Sequence, residues 1–383
     1  MNLALSDEQQ AFRDTARGWV DKAVVPHSRE WDRTEVMDRD IVRQLGEMGF
    51  LGATLPEEYG GTPCDYISYV LMMEELGRGD NAVRGIVSVS LGLVTKSVMA
   101  HGTEEQKREW VPRLATGEVL GCFGLTEPGN GSDPGGLTTR AVRDGDDWVL
   151  SGQKLFITNG NWAGLALIFA RTGGPGPRGI TAFVVDTSSP GWSARPVRGK
   201  LGLRAQDTAE LFLDEVRVPD RHRLGDEGRG FGIAMGALAK GRMSVAASAV
   251  GTAQAALDAS LSYARERHQF GKPIAAHQLI QELLADMAVN IDAARLMVWR
   301  AADLCERGEP FEIASAKAKY FASEVAVRVA SNAIQVHGGY GFIDEYPVGK
   351  YLRDARVLTL YEGTSQIQKL IIGRDLTGIS AFG

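Results

Sequence analysis

The hydrophobic pattern of this chain changes period twice, and few folds accommodate both changes. Up to about residue 118, apolar side chains recur three and four residues apart. From about 119 to 228 they gather in short β-type runs, and after that helical spacing returns. Ser6 and Gln9 stand at capping-box spacing before a stripe of Phe12, Ala16 and Trp19. Thr103 and Gln106 repeat the box before Trp110, Val111 and Leu114. Ile41, Leu45 and Met48 form a further stripe, and 66–76 reads as helix. The nearly uncharged stretch 81–100 reads as a deeply buried one.

In the middle, 140–158 holds two runs around Asp144-Gly145-Asp146-Asp147, a hairpin signal, and runs at 165–170, 180–185, 192–197 and 209–218 follow. Strands at this spacing predict a small barrel or sandwich. Beyond the loop Gly228-Arg229-Gly230, Leu257, Leu261 and Ala264 mark one long helix, Leu279, Leu283, Met287 and Ile291 a second, and Phe321, Val325 and Val329 a third. The expected class is α+β: an N-terminal helical domain over 1–118, a middle β-domain over 119–228, and a C-terminal four-helix bundle over 229–383. Long amphipathic helices at the end point to self-association.

A net charge of −6 argues against nucleic acid as a partner. Cys64, Cys122 and Cys305 form no CxxC and suggest reduced thiols, hence a cytoplasmic setting. The opening MNLALSDEQQAF has no signal-peptide pattern, and no uncharged apolar run suggests membrane insertion. Six scattered histidines without HExxH give no support for a metal site.

Five stretches carry chemistry. Tyr361-Glu362-Gly363-Thr364-Ser365-Gln366-Ile367-Gln368 sets a carboxylate in a Gly turn before a helix. Ser365 and Gln368 have capping-box spacing, and Ile367, Leu370 and Ile371 give an apolar face. The local pattern allows a general base or an ordinary first-turn helix charge. Leu125-Thr126-Glu127-Pro128-Gly129-Asn130-Gly131-Ser132-Asp133 is a Gly-rich loop able to present N–H and hydroxyl groups, or a plain surface loop. Phe156-Ile157-Thr158-Asn159-Gly160 places an aromatic and a hydroxyl at a strand end. Arg265 to Ile274 is a basic helix end that suits the dipole or a phosphate, and Gln335-Val336-His337-Gly338-Gly339-Tyr340-Gly341-Phe342 is a C-cap or a close backbone approach.

In this order and spacing the five stretches resemble the acyl-CoA dehydrogenase family of flavoproteins over nearly the whole chain, with support from Lys200-Leu-Gly-Leu-Arg204. The resemblance implies FAD as cofactor, contacted by Phe123, Leu125, Thr126 and Ser132, with Ser132 also toward the substrate. It places Phe156 and Thr158 along the ring. Arg267, Phe270 and Gln278, with Gln335 and Gly339, would bind the diphosphate and adenine across a subunit interface, and Thr364 and Gln366 would close over the cofactor. Phe156 stands where many members carry Trp, and Phe123 where some carry Tyr.

The resemblance also implies an acyl-CoA substrate, electron-transfer flavoprotein as acceptor, and a homotetramer built as a dimer of dimers. Glu362 would take the α-proton of a thioester, the β-hydride would pass to flavin N5, and a trans-2-enoyl thioester would result. The Glu362 backbone N–H would hold the thioester carbonyl. Some members carry the base at the position of Gly241, which here has no side chain to serve. Arg242 and Tyr361 would line the substrate. Around Arg84 the chain looks like glutaryl-CoA dehydrogenase, in which an aligned arginine binds a distal carboxylate; an arginine paired with an internal acid is the plainer reading. A short- or branched-chain acyl-CoA, a dicarboxylyl-CoA and a carrier-protein-bound acyl chain all remain open as substrates.

Overall fold

The computed structural model describes residues 4–382. Helices α1 (Asp7–Ala23), α2 (Val25–Thr34), α3 (Asp40–Glu47), α4 (Tyr66–Gly79), α5 (Asn81–Val87), α6 (Lys96–His101) and α7 (Glu104–Ala115) come first. Both capping boxes form, with Ser6 closing α1 and Thr103 closing α7. The stretch expected as one helix is α5 and α6 joined through a π-helical segment, Ser88–Thr95. Asn81–His101 is also long and apolar enough to span a membrane, yet most of it is packed inside the protein, so it serves as a core helix.

Eight strands follow: β1 (Gly121–Gly124), β2 (Arg140–Asp144), β3 (Asp147–Thr158), β4 (Leu165–Arg171), β5 (Ile180–Asp186), β6 (Trp192–Pro196), β7 (Thr208–Pro219) and β8 (Arg223–Leu224). They form one sheet in the order β6-β7-β3-β2-β4-β5-β8, with β1 parallel to β4. The sheet bends so that β3 and β7 face β4 and β5 across a core containing Trp148, Leu150, Ile168, Phe183, Leu211 and Val216. The other face of β4 and β5 contributes Leu165, Leu167, Phe169 and Val184 to the core of the helical parts. Burial on both faces explains why these strands read as unbroken apolar runs rather than alternating ones.

The chain then returns to helix with α8 (Gly230–Glu266), α9 (Gln278–Glu306), α10 (Glu312–His337), α11 (Val348–Leu358) and α12 (Ser365–Thr377). Helices α8, α9 and α10 pack on one another, α12 lies along α10, and α4 runs against α8. The α4–α8 approach depends on small residues: a Cβ at Gly251 would stand 1.9 Å from the Glu74 carbonyl, and one at Gly77 would stand 2.6 Å from Ser248. Asp80, which caps α5, reaches the first turn of α11. A buried lysine joins the three parts of the chain there. Lys350 Nζ lies 2.6 Å from Asp354 Oδ2 and 3.1 Å from Asp80 Oδ2, and Asp354 Oδ1 accepts from the Leu203 N–H at 2.6 Å. Leu279 and Leu370, which belong to the apolar stripes of α9 and α12, are exposed at the periphery of this chain.

Candidate active site

Glu362 occupies a left-handed backbone conformation, φ 52°, followed by Gly363 at φ 90°. A left-handed non-glycine residue costs about 1–3 kcal/mol and persists only where its surroundings hold it. Here Lys319 Nζ donates to the Gly363 carbonyl at 2.7 Å, and Gln368 Nε2 donates to the carbonyls of Glu362 (3.2 Å) and Gly363 (3.0 Å). The expected Ser365–Gln368 capping box is therefore not what closes α12. Thr364 is the cap, accepting from the Ile367 N–H, while the Ser365 hydroxyl donates to Glu324 at 2.6 Å. The reason is the demand of the turn: Gln368 is drawn back to the Glu362 carbonyl and shares the Gly363 carbonyl with Lys319. Among the described residues, the N–H groups of Glu362, Gly363 and Thr364 bond to nothing within the chain.

Glu362 Oε2 is buried without a hydrogen-bond partner. Burial pushes its pKa above the ordinary carboxylate range, against the opposing charges of Arg84, Lys319 and Arg242. Desolvation pulls Lys319 down to about 8. Arg242 is buried, and its Nε is likewise unpartnered. The carboxylate lies directly over Gly241, where a Cβ would fall 2.1 Å from Oε2. A base on residue 241 and this placement of Glu362 thus exclude each other sterically.

Arg84, on α5, is 1% exposed. It donates to the Tyr361 hydroxyl and, at 3.4 Å, to Asn81 Oδ1, with its guanidinium 5.6 Å from the Tyr361 ring centre. Among the described residues no carboxylate pairs with it within 4 Å, so the internal-acid reading of Arg84 finds no partner. Further polar groups line the same side, including Ser88, whose hydroxyl meets that of Ser244 at 3.0 Å.

The strand-end motif is built on a β-bulge. Register between β3 and β7 shifts between Lys154 and Ile157, and Phe156 takes φ 61°. The bulge turns Lys154 fully inward and Phe156 outward, 63% exposed. Lys154 Nζ reaches Glu127 Oε1 at 2.8 Å and the Leu125 carbonyl at 3.3 Å. Glu127 also accepts from the Thr138 and Thr139 N–H groups at 2.6 and 2.8 Å. Burial works to raise the Glu127 pKa, but the Lys154 charge and these hydrogen bonds outweigh it and hold the carboxyl at about 2. The pair pins the 125–133 loop against the strand, and Leu155 N–H bonds to the Thr126 carbonyl at 2.9 Å. Ser132 is exposed on that loop, whereas Phe123 and Leu125 turn into the core, Phe123 against Phe169 at 4.9 Å. Thr158, at the strand end, accepts a 3.0 Å hydrogen bond from Gln206.

A second cleft, of about 550 Å³, lies between the end of α8 and the end of α10; Arg267, Phe270, Gln335 and Gly339 all line it. Gln278 is exposed at the start of α9 but is not among its lining residues. Arg267 stacks over Tyr340 at 5.5 Å, and Phe270 is 93% exposed with φ 52°. Thr364 and Gln366 stand at the start of α12. These features fit a flavin dinucleotide. Two rings, Phe156 and Phe270, are held outward by left-handed backbone, and a lysine-anchored Gly-rich loop and a cleft with an arginine accompany them. Sequence reading missed Lys154, Lys319 and Gln206. The two lysines sit on buried faces, Lys319 within the Ala316–Ala322 part of α10, and that placement was the signal available.

Family models match in the same order as the folded parts: acyl-CoA dehydrogenase N-terminal domain over residues 6–118, middle domain over 122–216 and C-terminal domain over 228–377. A probable acyl-CoA dehydrogenase of Bacillus subtilis, YngJ, is 46% identical over 380 residues, 98% of this chain and 100% of that protein. The butyryl-CoA dehydrogenase structure from Megasphaera elsdenii is 40% identical with a TM-score of 0.96, covering 98% of this chain and 100% of its own. The glutaryl-CoA dehydrogenase structure from Mycobacterium smegmatis is 39% identical with a TM-score of 0.95, covering 100% and 98%.

Proposed function

The chain belongs to the acyl-CoA dehydrogenase family, and from that premise we propose that it dehydrogenates a short-chain or branched-chain acyl-CoA to the trans-2-enoyl-CoA, with Glu362 as the base. Membership makes it an FAD-dependent oxidoreductase acting on acyl-CoA. The observation that carries the finer reading is the unpaired, buried Glu362 carboxylate, raised in pKa and set beside free backbone N–H groups.

Glu362 removes the α-proton of the thioester. The raised pKa narrows its mismatch with a weak carbon acid. The Glu362 N–H, unpaired within the chain, donates to the thioester carbonyl as negative charge develops there, and the nearby Arg242 charge adds to that stabilisation. Lys319 and Gln368 keep the turn from relaxing as the carboxyl takes the proton. Phe156, Thr158 and the 125–133 loop hold the flavin, and Arg267, Phe270, Gln278, Gln335 and Gly339 hold its diphosphate and adenine. Thr364 and Gln366 close over it. Bound FAD supplies the acceptor for the β-hydride.

Electron-transfer flavoprotein is the proposed acceptor, and a dimer of dimers the proposed assembly. Exposed Phe270, Leu279, Phe342, Leu376 and Ile379 supply apolar surface for subunit contacts. A dicarboxylyl-CoA is the second reading, favoured by the buried Arg84, which has no carboxylate within 4 Å among the described residues, and by the likeness to glutaryl-CoA dehydrogenase. The test is anaerobic flavin bleaching with straight, branched and dicarboxylic acyl-CoA thioesters. Fast bleaching by butyryl- or isobutyryl-CoA supports the first reading, selective bleaching by glutaryl-CoA the second, and no bleaching by any thioester rejects both.

A further inference from the structure

Two buried side chains one turn apart on α10 tie together the two halves of the base site. Ser315 and Lys319 are both fully buried. The Ser315 hydroxyl donates to the Ala239 carbonyl of α8 at 2.9 Å, two residues before Gly241. Lys319 Nζ donates to the Gly363 carbonyl at 2.7 Å, one residue after Glu362. Residues four apart share a helix face and are separated by about 6 Å of rise. That face of α10 therefore links the stretch holding Gly241 to the turn holding Glu362. The gap between those two is tight, since a Cβ at Gly241 would stand 2.1 Å from Glu362 Oε2.

Packing alone gives no reason for a lysine at 319. Its neighbours along this stretch of α10 include the buried Ala316, Ala318 and Ala322. Among the described residues no carboxylate pairs with its ammonium within 4 Å. A buried charge without an ion-pair partner is costly, and an apolar side chain would fill the space without that cost. The charge does act on the Glu362 turn. A charged donor holds a carbonyl more strongly than a neutral one, which suits a turn kept in a strained left-handed form. Arg84 from α5, Lys319 from α10 and Arg242 from α8 all draw the Glu362 pKa down against burial. The Tyr69 and Tyr361 phenols feel the Glu362 charge as well, and Lys319 itself is faced by Glu362, Arg242 and Glu324. Of the three cations, only Lys319 bonds to the backbone of the turn among the described residues.

Resting on the dehydrogenase reading above, we propose that Ser315 and Lys319 are positioning residues for that reaction: one turn of α10 sets the height of Glu362 over Gly241, and the Lys319 ammonium keeps the carboxylate in the ionised form that takes the α-proton. The two hydrogen bonds act as one spacer. Loss of either lets α8 and the Glu362 turn shift against each other, and loss of the lysine also removes positive charge from beside the base.

The experiment follows anaerobic single-turnover bleaching of the holoenzyme by butyryl-CoA as a function of pH. In parallel, the Glu362 pKa is read without turnover, from the infrared carboxyl band that disappears in Glu362→Gln. Removing a positive charge raises a carboxyl pKa, so Lys319→Met should move the midpoint up by about one pH unit in both readouts. It should also slow the plateau rate by ~10²-fold with FAD retained. Lys319→Arg keeps charge and donor and should hold the midpoint within about 0.3 pH unit of the parent. Ser315→Ala keeps the charge, so its midpoint should stay in place while bleaching slows by roughly three- to tenfold. A Lys319→Met midpoint equal to the parent's overturns the assignment. So does a Lys319→Met enzyme that melts earlier yet bleaches within about threefold of the parent, which would leave Lys319 a packing residue. A Ser315→Ala midpoint shifted as far as that of Lys319→Met also overturns it, because Ser315 carries no charge. If Lys319→Met does not fold, Lys319→Gln, neutral but able to donate, takes its place with the same expected midpoint. If no thioester bleaches the parent flavin, the dehydrogenase reading fails by itself, while the infrared titration still decides whether Lys319 acts on Glu362.

Discussion

Replacing Gly241 by alanine should disable the base without touching it. The added methyl would stand 2.1 Å from Glu362 Oε2, 3.1 Å from its carboxyl carbon and 3.0 Å from Leu93 Cδ2. An unstrained carbon–oxygen approach needs about 3.3 Å, so the carboxylate must retreat by ~1 Å. The main chain cannot follow easily, because Lys319 and Gln368 fix both carbonyls of the turn. The displacement therefore falls on the Glu362 side chain, and with it on the line to the substrate α-carbon. A misplacement of 1 Å costs on the order of 10²-fold in rate, about 2.7 kcal/mol in barrier. Overpacking also costs about 1–3 kcal/mol of stability. The assay is single-turnover flavin bleaching under anaerobic conditions, with FAD content and melting temperature recorded on the same sample. A Gly241→Ala enzyme with full FAD and a bleaching rate within about threefold of the parent would falsify the packing argument.

Glu362→Gln should keep its yellow colour and lose bleaching by ~10²–10⁴-fold, read by stopped-flow absorbance; near-parental turnover would reassign the base. Because burial raises the Glu362 pKa and only its ionised form accepts the proton, the bleaching rate should climb as pH rises through a midpoint above the usual carboxylate range. A rate already flat at pH 5 would contradict that. Arg84→Ala should impair glutaryl-CoA far more than butyryl-CoA if Arg84 meets a substrate carboxylate, as kcat/KM ratios will show. Glu127→Gln leaves Lys154 buried without its counter-charge and should cost about 3–5 kcal/mol, seen as a lower Tm and earlier FAD release on heating. In the parent, the contribution of Glu127 is present above the ordinary carboxyl pKa and should be lost as pH falls through about 2, which acid unfolding can follow.

Local sequence determined the elements. Ser6 with Gln9 and Thr103 with Gln106 form their boxes because both partners lie within one helical turn. The runs at 165–170 and 180–185 became strands because their buried apolar content needs no distant partner to be recognised. The order of the five motifs likewise carries the family likeness and points to Glu362. What the tertiary structure alone decided lies across long separations in the chain. Lys319 reaches the Gly363 carbonyl from another helix, Lys154 reaches Glu127 only because a bulge turns it inward, and Gln206 meets Gly85 from a different part of the fold. Even the cap of α12 moved from Ser365 to Thr364, since Gln368 was needed by two carbonyls of the Glu362 turn. The pattern of a sequence records which faces are apolar. It does not record which buried donor will find which buried acceptor, because that choice is made by the geometry of the packed elements.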